Sequence, residues 1–413
     1  MLTFAFVSML LAGVMLKFWL GWRQIRHITR HRGQVPSVFT PMIALSAHQK
    51  AADYTIAKTR FGLLEQTMGA AVLVGWTLLG GLTILNKVIL SRLEGGLIQQ
   101  LALLAGFVLI NGLIDLPLIL YQTFVIEQRF GFNKITLRLW FMDLLKSALI
   151  GAILGLLIGA LILWLMGAAG GWWWLWAWGV WMSFNLLLLF VYPTFIAPLF
   201  NKFAPLQDET LKSSVTALME RCGFAAKGLF VMDGSKRSAH ANAYFTGFGA
   251  AKRVVFYDTL LTKLSATEVN AVLAHELGHF KHRHVVKRIR LLFIISLLCF
   301  ALLGWLATQM WFYTELGVEP NLAIPNDALA LALFILAAPV FSFPLTPLFA
   351  YFSREHEFQA DAYAVAHTNG QDLATALLKL YEDNASTLTA DPIYVKYYYS
   401  HPPASERLAR IVA

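Results

Sequence analysis

SATEVNAVLAHELGHFKHRH, residues 265–284, is the stretch from which the rest of the chain is read. Ser265 with Glu268 three positions on has the form of a capping box, which predicts a helix starting there. Val269, Val272 and Leu273 follow at helical spacing. Positions four apart share one helix face, so His275 and His279 project together and can hold one metal ion. Glu276 lies beside them, where it can take a proton from a water molecule. Two histidines, a later carboxylate and one open position make a catalytic rather than a structural zinc site. The competing reading is a surface helix with two solvated histidines. The capping box and the apolar face argue against it, and a zinc peptidase is the leading expectation.

The remainder of the chain is not that of a soluble enzyme. Of 413 residues, 58% are hydrophobic and 14% charged, with 13 Trp and 30 Phe. Soluble domains carry about a quarter charged residues, so this composition points to a polytopic membrane protein. Cys222 and Cys299 have no CxxC neighbour, and Cys299 lies in an apolar run, which argues against a disulfide framework. The net charge of +9 is expected from basic loops facing anionic lipid. No aromatic-interleaved basic module is present, so nucleic acid is excluded as a partner.

Residues 1–22 are apolar apart from Lys17, with basic residues following rather than preceding, which reads as a retained span. Further runs long enough to cross a bilayer lie near 66–86, 97–125, 144–166, 172–200, 291–313 and 328–352, seven in all. Arg23, Arg26, Arg30, Arg32, Lys50, Lys58 and Arg60 follow the first span, and Arg129, Lys134, Arg138 and Lys146 follow the third. The 314–327 loop has no Lys or Arg. The positive-inside rule then places the N-terminus outside, and the 201–290 segment and the C-terminus in the cytoplasm. The expected division is 1–200, five membrane helices; 201–290, a metalloprotease segment; 291–352, two more helices; and 353–413, a cytoplasmic segment completing the site.

Trp172, Trp173, Trp174, Trp176 and Trp178 read as an interfacial aromatic belt. Asp115 and Asn185 sit within spans, either lining a cavity or bonding helix to helix. In the soluble-looking part, Leu211–Cys222 reads as an amphipathic helix and Leu229–Met232 as a strand. Residues 241–245 and 253–257, joined by a bend at Gly247 and Gly249, read as a hairpin before the metal helix. An exposed strand edge there would let an extended peptide add as a strand. Asn242 either contributes an amide to such a peptide or is a turn asparagine; spacing does not choose.

Glu355, Glu357 and Asp361 are all candidates for the third ligand. Glu357 and Asp361 are one turn apart, so one can bind metal while the other accepts a ring N–H. The alternative is a solvated, charged helix start. Residues 371–384 read as another amphipathic helix. His401 and Arg407 would serve as donors to an oxyanion if the fold brings them to the metal; otherwise they are ordinary surface residues.

Phe124–Glu127 through Phe132–Asn133, Pro198–Phe203, Gly234–Ser238, Asn242–Phe245, HELGH at 275–279, EFQAD at 357–361 and SHPP at 400–403 together resemble the type I CAAX prenyl proteases. These are integral membrane zinc metalloproteases, and the resemblance covers most of the chain, weakest in spans one and two. It implies an all-α polytopic fold, seven helices around an intramembrane chamber, with a small α+β cytoplasmic protease domain. It further implies one zinc per chain held by His275, His279 and Glu357, with Glu276 as base and Asp361 behind a ligand histidine. By the same match, Asn242 holds substrate backbone while His401 and Arg407 flank the scissile carbonyl. The eukaryotic relatives carry extra sequence before the metal helix, where this chain has only Lys263–Thr267. That short form suggests a bacterial inner-membrane protein.

The expected activity is hydrolysis of a peptide bond near the C-terminus of a CAAX-type substrate, prenylated or not, at the cytoplasmic face. A broader membrane-protein quality-control protease is the runner-up. A transporter or scaffold with structural zinc is the rival from another class, and HExxH with a distal glutamate argues against it.

Overall fold

The computed structural model describes residues 1–224, 228–246 and 253–412, and the bend expected at Gly247 and Gly249 lies outside the described residues. The N-terminal half is helical: α1 Leu2–His31, α2 Leu45–Trp76, α3 Gly81–Leu90, α4 Leu97–Glu127, α5 Leu137–Ala168 and α6 Gly170–Phe200. Then come β1 Phe203–Pro205, α7 Glu209–Arg221, β2 Gly228–Met232, β3 Ala243–Thr246, β4 Arg253–Tyr257 and the metal helix α8 Ala266–Lys281. The chain ends with α9 His284–Leu306, α10 Asp327–His367, α11 Gly370–Asp383, α12 Pro392–Tyr398 and α13 Ala404–Ile411.

Among the described residues, α1, α4, α5, α6, α9 and α10 are long and apolar enough to cross a bilayer. A seventh span exists if α2 and α3, bent by 52°, are counted as one. Leu145, Leu149, Ile153 and Leu157, one turn apart on α5, are each about 60% exposed, an apolar stripe that only lipid can cover. The expected span at 66–86 is corrected. The helix begins at Leu45 and stops at Trp76, because Gly80 takes a left-handed backbone (φ 75°) and a Cβ at Gly81 would lie 2.6 Å from the Gly75 carbonyl oxygen. Hydropathy registers neither the break nor the polar first half of α2, which turns toward a cavity. The Trp cluster divides: Trp172 and Trp176 are exposed, Trp173 is buried, and Trp178 donates to Ser296 at 3.1 Å. Asn185 bonds the Trp181 carbonyl of its own helix, whereas Asp115 lines a cavity between α2 and α4 together with Glu65.

The described strands form one sheet in the order β1-β2-β4-β3, with β2 and β4 parallel and the outer pairs antiparallel. The hairpin register pairs Tyr244 with Val255 and leaves β3 at the edge. Two large hydrophobic cores organise the described residues, with a smaller cluster around Tyr54, Phe61 and Phe132. One joins α1, α4, α5 and the 312–337 region inside the bundle. The other gathers Phe39, the sheet, α7, α8, the end of α10, α11 and α13. The sheet, α7, α8, the end of α10, α11 and α13 therefore share one core with Val35, Phe39 and Ile43.

Candidate metal centre and active site

The Ser265–Glu268 capping box is present, with Glu268 accepting from the Ser265 backbone N–H at 2.7 Å. It starts α8 so that Val269, Leu273 and Leu277 face the core. His275 and His279 are then on one face, 5.0 Å apart between ring centres. The third element is α10, which does not restart after the seventh span but runs on as one helix through Glu357 and Asp361. Among the candidate carboxylates, Glu357 meets both histidines, at 3.4 Å from His275 Nε2 and 3.4 Å from His279 Nε2. Gly278 makes that approach possible: a Cβ there would lie 2.9 Å from Ala360 Cα and 3.1 Å from its carbonyl oxygen.

The donor set fits a zinc ion. Ligands around tetrahedral zinc, with bonds of about 2.0–2.1 Å, stand roughly 3.4 Å apart. The His275, His279 and Glu357 ligand atoms all lie within 4.8 Å of one another. Glu357 Oε2 is buried with no hydrogen-bond partner among the described residues, an acceptor that a cation would satisfy.

Both imidazoles are oriented from behind. His275 Nδ1 donates to Asp361 Oδ1 at 2.8 Å, which turns Nε2 toward Glu357, the nitrogen that a metal would take once its proton has left. Arg407 grips that same carboxylate through Nε at 2.8 Å and Nη2 at 2.6 Å. His279 Nδ1 donates to His284 Nδ1 at 2.9 Å, and His284 Nε2 donates to Gln359 Oε1 at 2.9 Å. Arg283, left-handed at φ 54°, folds the chain between α8 and α9 so that His284 turns back onto His279. His284 and Gln359 were missed from the sequence. A histidine five positions on does not share the His279 face of a continuous helix, and only the break at Arg283 brings it there.

Burial by itself would lower His275, but the Asp361 carboxylate that accepts its Nδ1–H and the Glu357 carboxylate beside Nε2 outweigh it and push the imidazole up to about 9. Burial raises Glu276 against the pull of the histidines and Arg407. The Glu276 side chain makes no hydrogen bond with any described residue, so its carboxylate is free to accept a proton. The surrounding cavity walls lower His401 by desolvation although its side chain is 64% exposed to the cavity. For Arg407 burial acts downward, but the Asp361 carboxylate overcomes it and holds the guanidinium charged.

A cavity of about 860 Å³ opens beside these residues, lined by Lys17 and Gln24 of α1, Tyr54 of α2, and Asn242, His401 and Arg407. His401 Nε2 lies 3.5 Å from Glu357 Oε1, which places it at the junction of cavity and metal centre. Tyr381 donates to the Pro402 carbonyl at 3.1 Å, and Arg354 to that of Tyr399 at 2.8 Å, fixing the loop that carries His401. Asn242 immediately precedes the edge strand β3; its Oδ1 accepts from Ala243 N at 2.8 Å, and its amide nitrogen bonds no described residue. Asn384 Oδ1 accepts from Ala241 N at 3.2 Å and from His240 Nδ1 at 3.1 Å, a further anchor that spacing did not reveal.

Comparison with known proteins agrees with this geometry. Residues 24–202 match the family model described as CAAX prenyl protease N-terminal, five membrane helices, and residues 205–413 match peptidase family M48. The chain is 35% identical to CAAX prenyl protease 1 of Saccharomyces cerevisiae over 419 residues, covering 95% of this chain and 91% of that one. It is 35% identical over 390 residues to the Arabidopsis thaliana homolog, covering 91% and 90%, and 32% over 437 residues to the human homolog, covering 94% and 90%. The crystal structure of S. mikatae Ste24p superposes with a TM-score of 0.91 at 30% identity, covering 100% of this chain and 99% of that one. The chain belongs to peptidase family M48, in its CAAX prenyl protease branch, and is a multi-pass membrane metalloprotease.

Proposed function

We propose that this membrane metallopeptidase hydrolyses a peptide bond near the C-terminus of a prenylated CAAX-type substrate held in the 860 Å³ cavity. One zinc per chain would be held by His275, His279 and Glu357. The observation carrying the reading is the convergence of those three side chains beside His401, which lines the cavity and lies 3.5 Å from Glu357. Zinc bound there would act as a Lewis acid on the scissile carbonyl and acidify the attacking water.

This chain's own residues do the rest. Glu276 takes a proton from the water on its free carboxylate and returns it to the leaving nitrogen. Asp361, held by Arg407, keeps His275 in the tautomer that presents Nε2. Asn242 donates its amide to the substrate backbone, which lies along the β3 edge. His401, neutral and open to the cavity, donates a ring N–H to the developing oxyanion, and Arg407 adds positive charge beside it.

The same reading extends to layout. The basic loops after α1 and α4 lie at the metal end of the bundle, which supports a cytoplasmic site and C-terminus with the N-terminus outside. Residues 1–200 and 291–352 form the membrane unit, while 201–290 and 353–413 together form the catalytic one. The short Lys263–Thr267 connection favours a bacterial inner-membrane location.

The test follows one peptide, farnesylated and unmodified, on purified zinc-loaded protein, with Glu276→Gln as control. Cleavage of the farnesylated form alone is expected. Comparable cleavage of both would establish the broader membrane-protein protease instead. Zinc-loaded protein inert toward both would overturn the CAAX assignment.

A further inference from the structure

The cavity wall carries five basic or imidazole side chains, and four of them have a carboxylate within 4 Å. Lys58 lies 3.9 Å from Glu127, His240 lies 3.8 Å from Glu127, His401 lies 3.5 Å from Glu357 and Arg407 lies 2.6 Å from Asp361. Lys17 is the exception among the described residues. Its ammonium donates to Gln66 Oε1 at 2.6 Å and stands 4.6 Å from the centre of the Phe343 ring, and no carboxylate of a described residue forms an ion pair with it. Both neighbours are neutral, so the charge is solvated by the protein but not balanced. An ionisable group at membrane depth on a cavity wall is costly and points to a ligand of opposite charge.

Its depth suggests which one. Gln24, on the same wall of α1, bonds Tyr399 Oη at 3.4 Å and so stands at the level of the segment carrying His401. Lys17 is seven residues earlier, about 10 Å further into the bundle at 1.5 Å per residue. An extended peptide covers that distance in about three residues. A chain whose scissile bond lies at the metal centre would thus bring its terminal carboxylate to Lys17 if it ended about three residues beyond that bond.

We propose that Lys17 binds the free C-terminal carboxylate of the substrate, and so measures how far the cleaved bond lies from the chain end. This rests on the peptidase reading above, and its test is kept separate by measuring binding without turnover. In the Glu276→Gln background, two peptides of one sequence are compared, each ending three residues beyond the scissile bond, one as the free acid and one as the carboxamide. The acid is expected to bind roughly tenfold or more tightly, the size of a charged hydrogen bond. Adding Lys17→Met should bring the acid down to the affinity of the amide while leaving the amide unchanged, which also reports an intact fold. Lys17→Arg should keep the preference, and six residues beyond the bond should abolish it.

Equal binding of acid and amide by the Lys17 protein overturns the proposal, and so does a preference that survives Lys17→Met. Should Lys17→Met not fold, Lys17→Gln provides the neutral variant, with the same two outcomes. Acid-selective binding that depends on Lys17, in a protein that cleaves no peptide when zinc-loaded, would sustain this inference and defeat the peptidase reading alone.

Discussion

Each imidazole of the proposed zinc site is held by a different device. His275 leans on a carboxylate clamped by Arg407, while His279 leans on the neutral relay through His284 to Gln359. His284→Ala should therefore lower zinc affinity about 10–100-fold, the usual cost of losing an orienting partner, and Gln359→Leu should cost less; zinc titration of the apoprotein checks both. Glu276→Gln should keep its zinc yet lose about 10²–10⁴-fold in turnover, and cleavage near the parent rate would remove Glu276 as the base. Protons offer a third check. With His275 raised to about 9, the metal-free protein carries this imidazole protonated at pH 7, so zinc uptake must expel that proton. Apparent zinc affinity should rise with pH towards about 9. A folded-state value above the unfolded one stabilises the apoprotein fully below about pH 6.5, and that stability fades as pH climbs through about 9. Calorimetry in buffers of differing ionisation enthalpy should detect the released proton at pH 7.

Helix against helix, the site depends on how closely α8 and α10 approach. Gly278 is the second variable position of the HExxH pentapeptide, and its missing side chain is what lets Ala360 press against α8. Gly278→Ala should push the helices apart, costing about 1–3 kcal/mol through overpacking and loosening zinc along with stability. Melting curves with and without zinc would register both effects. The tail is secured at a second junction: Asp391 is buried, accepts from Arg23 Nη2 at 2.9 Å, and caps α12 through Ile393 N and Tyr394 N at 3.0 Å each. Asp391→Ala strands these donors, each costing about 1–3 kcal/mol where buried. The segment bearing His401 should then loosen, lowering kcat while zinc content stays at the parent level. Strand β3 was legible as half of a hairpin, but β1 was not, since Phe203–Pro205 is three residues long and pairs with β2 only across the fold.

Across the molecule, the catalytic body and the membrane bundle meet at the cavity rather than at a linker. Lys17, Gln24 and Tyr54 of the bundle face Asn242, His401 and Arg407 across it. Zinc held as proposed would stabilise only the folded arrangement, so chelation should lower the melting temperature of the whole chain; at a free zinc concentration 100 times Kd the shift corresponds to about 2.7 kcal/mol. The Phe39 region between α1 and α2 belongs to the catalytic core. This explains why a division by hydropathy at residue 200 describes the spans well and the packing less well.

The amino-acid sequence alone determined the class of protein and the metal helix, because both rest on local rules. Apolar runs long enough for a bilayer, a capping box and two histidines at i and i+4 need no tertiary information to be read. It also supplied three acids from which the third ligand had to come. The approach of Glu357 to both histidines, the clamping of Asp361 by Arg407 and the turning back of His284 were tertiary matters. They depend on two helices meeting at Gly278 and Ala360, residues 82 positions apart in sequence, and on a left-handed break at Arg283. Distances between separated segments are set by packing, and periodicity within a segment carries no record of them.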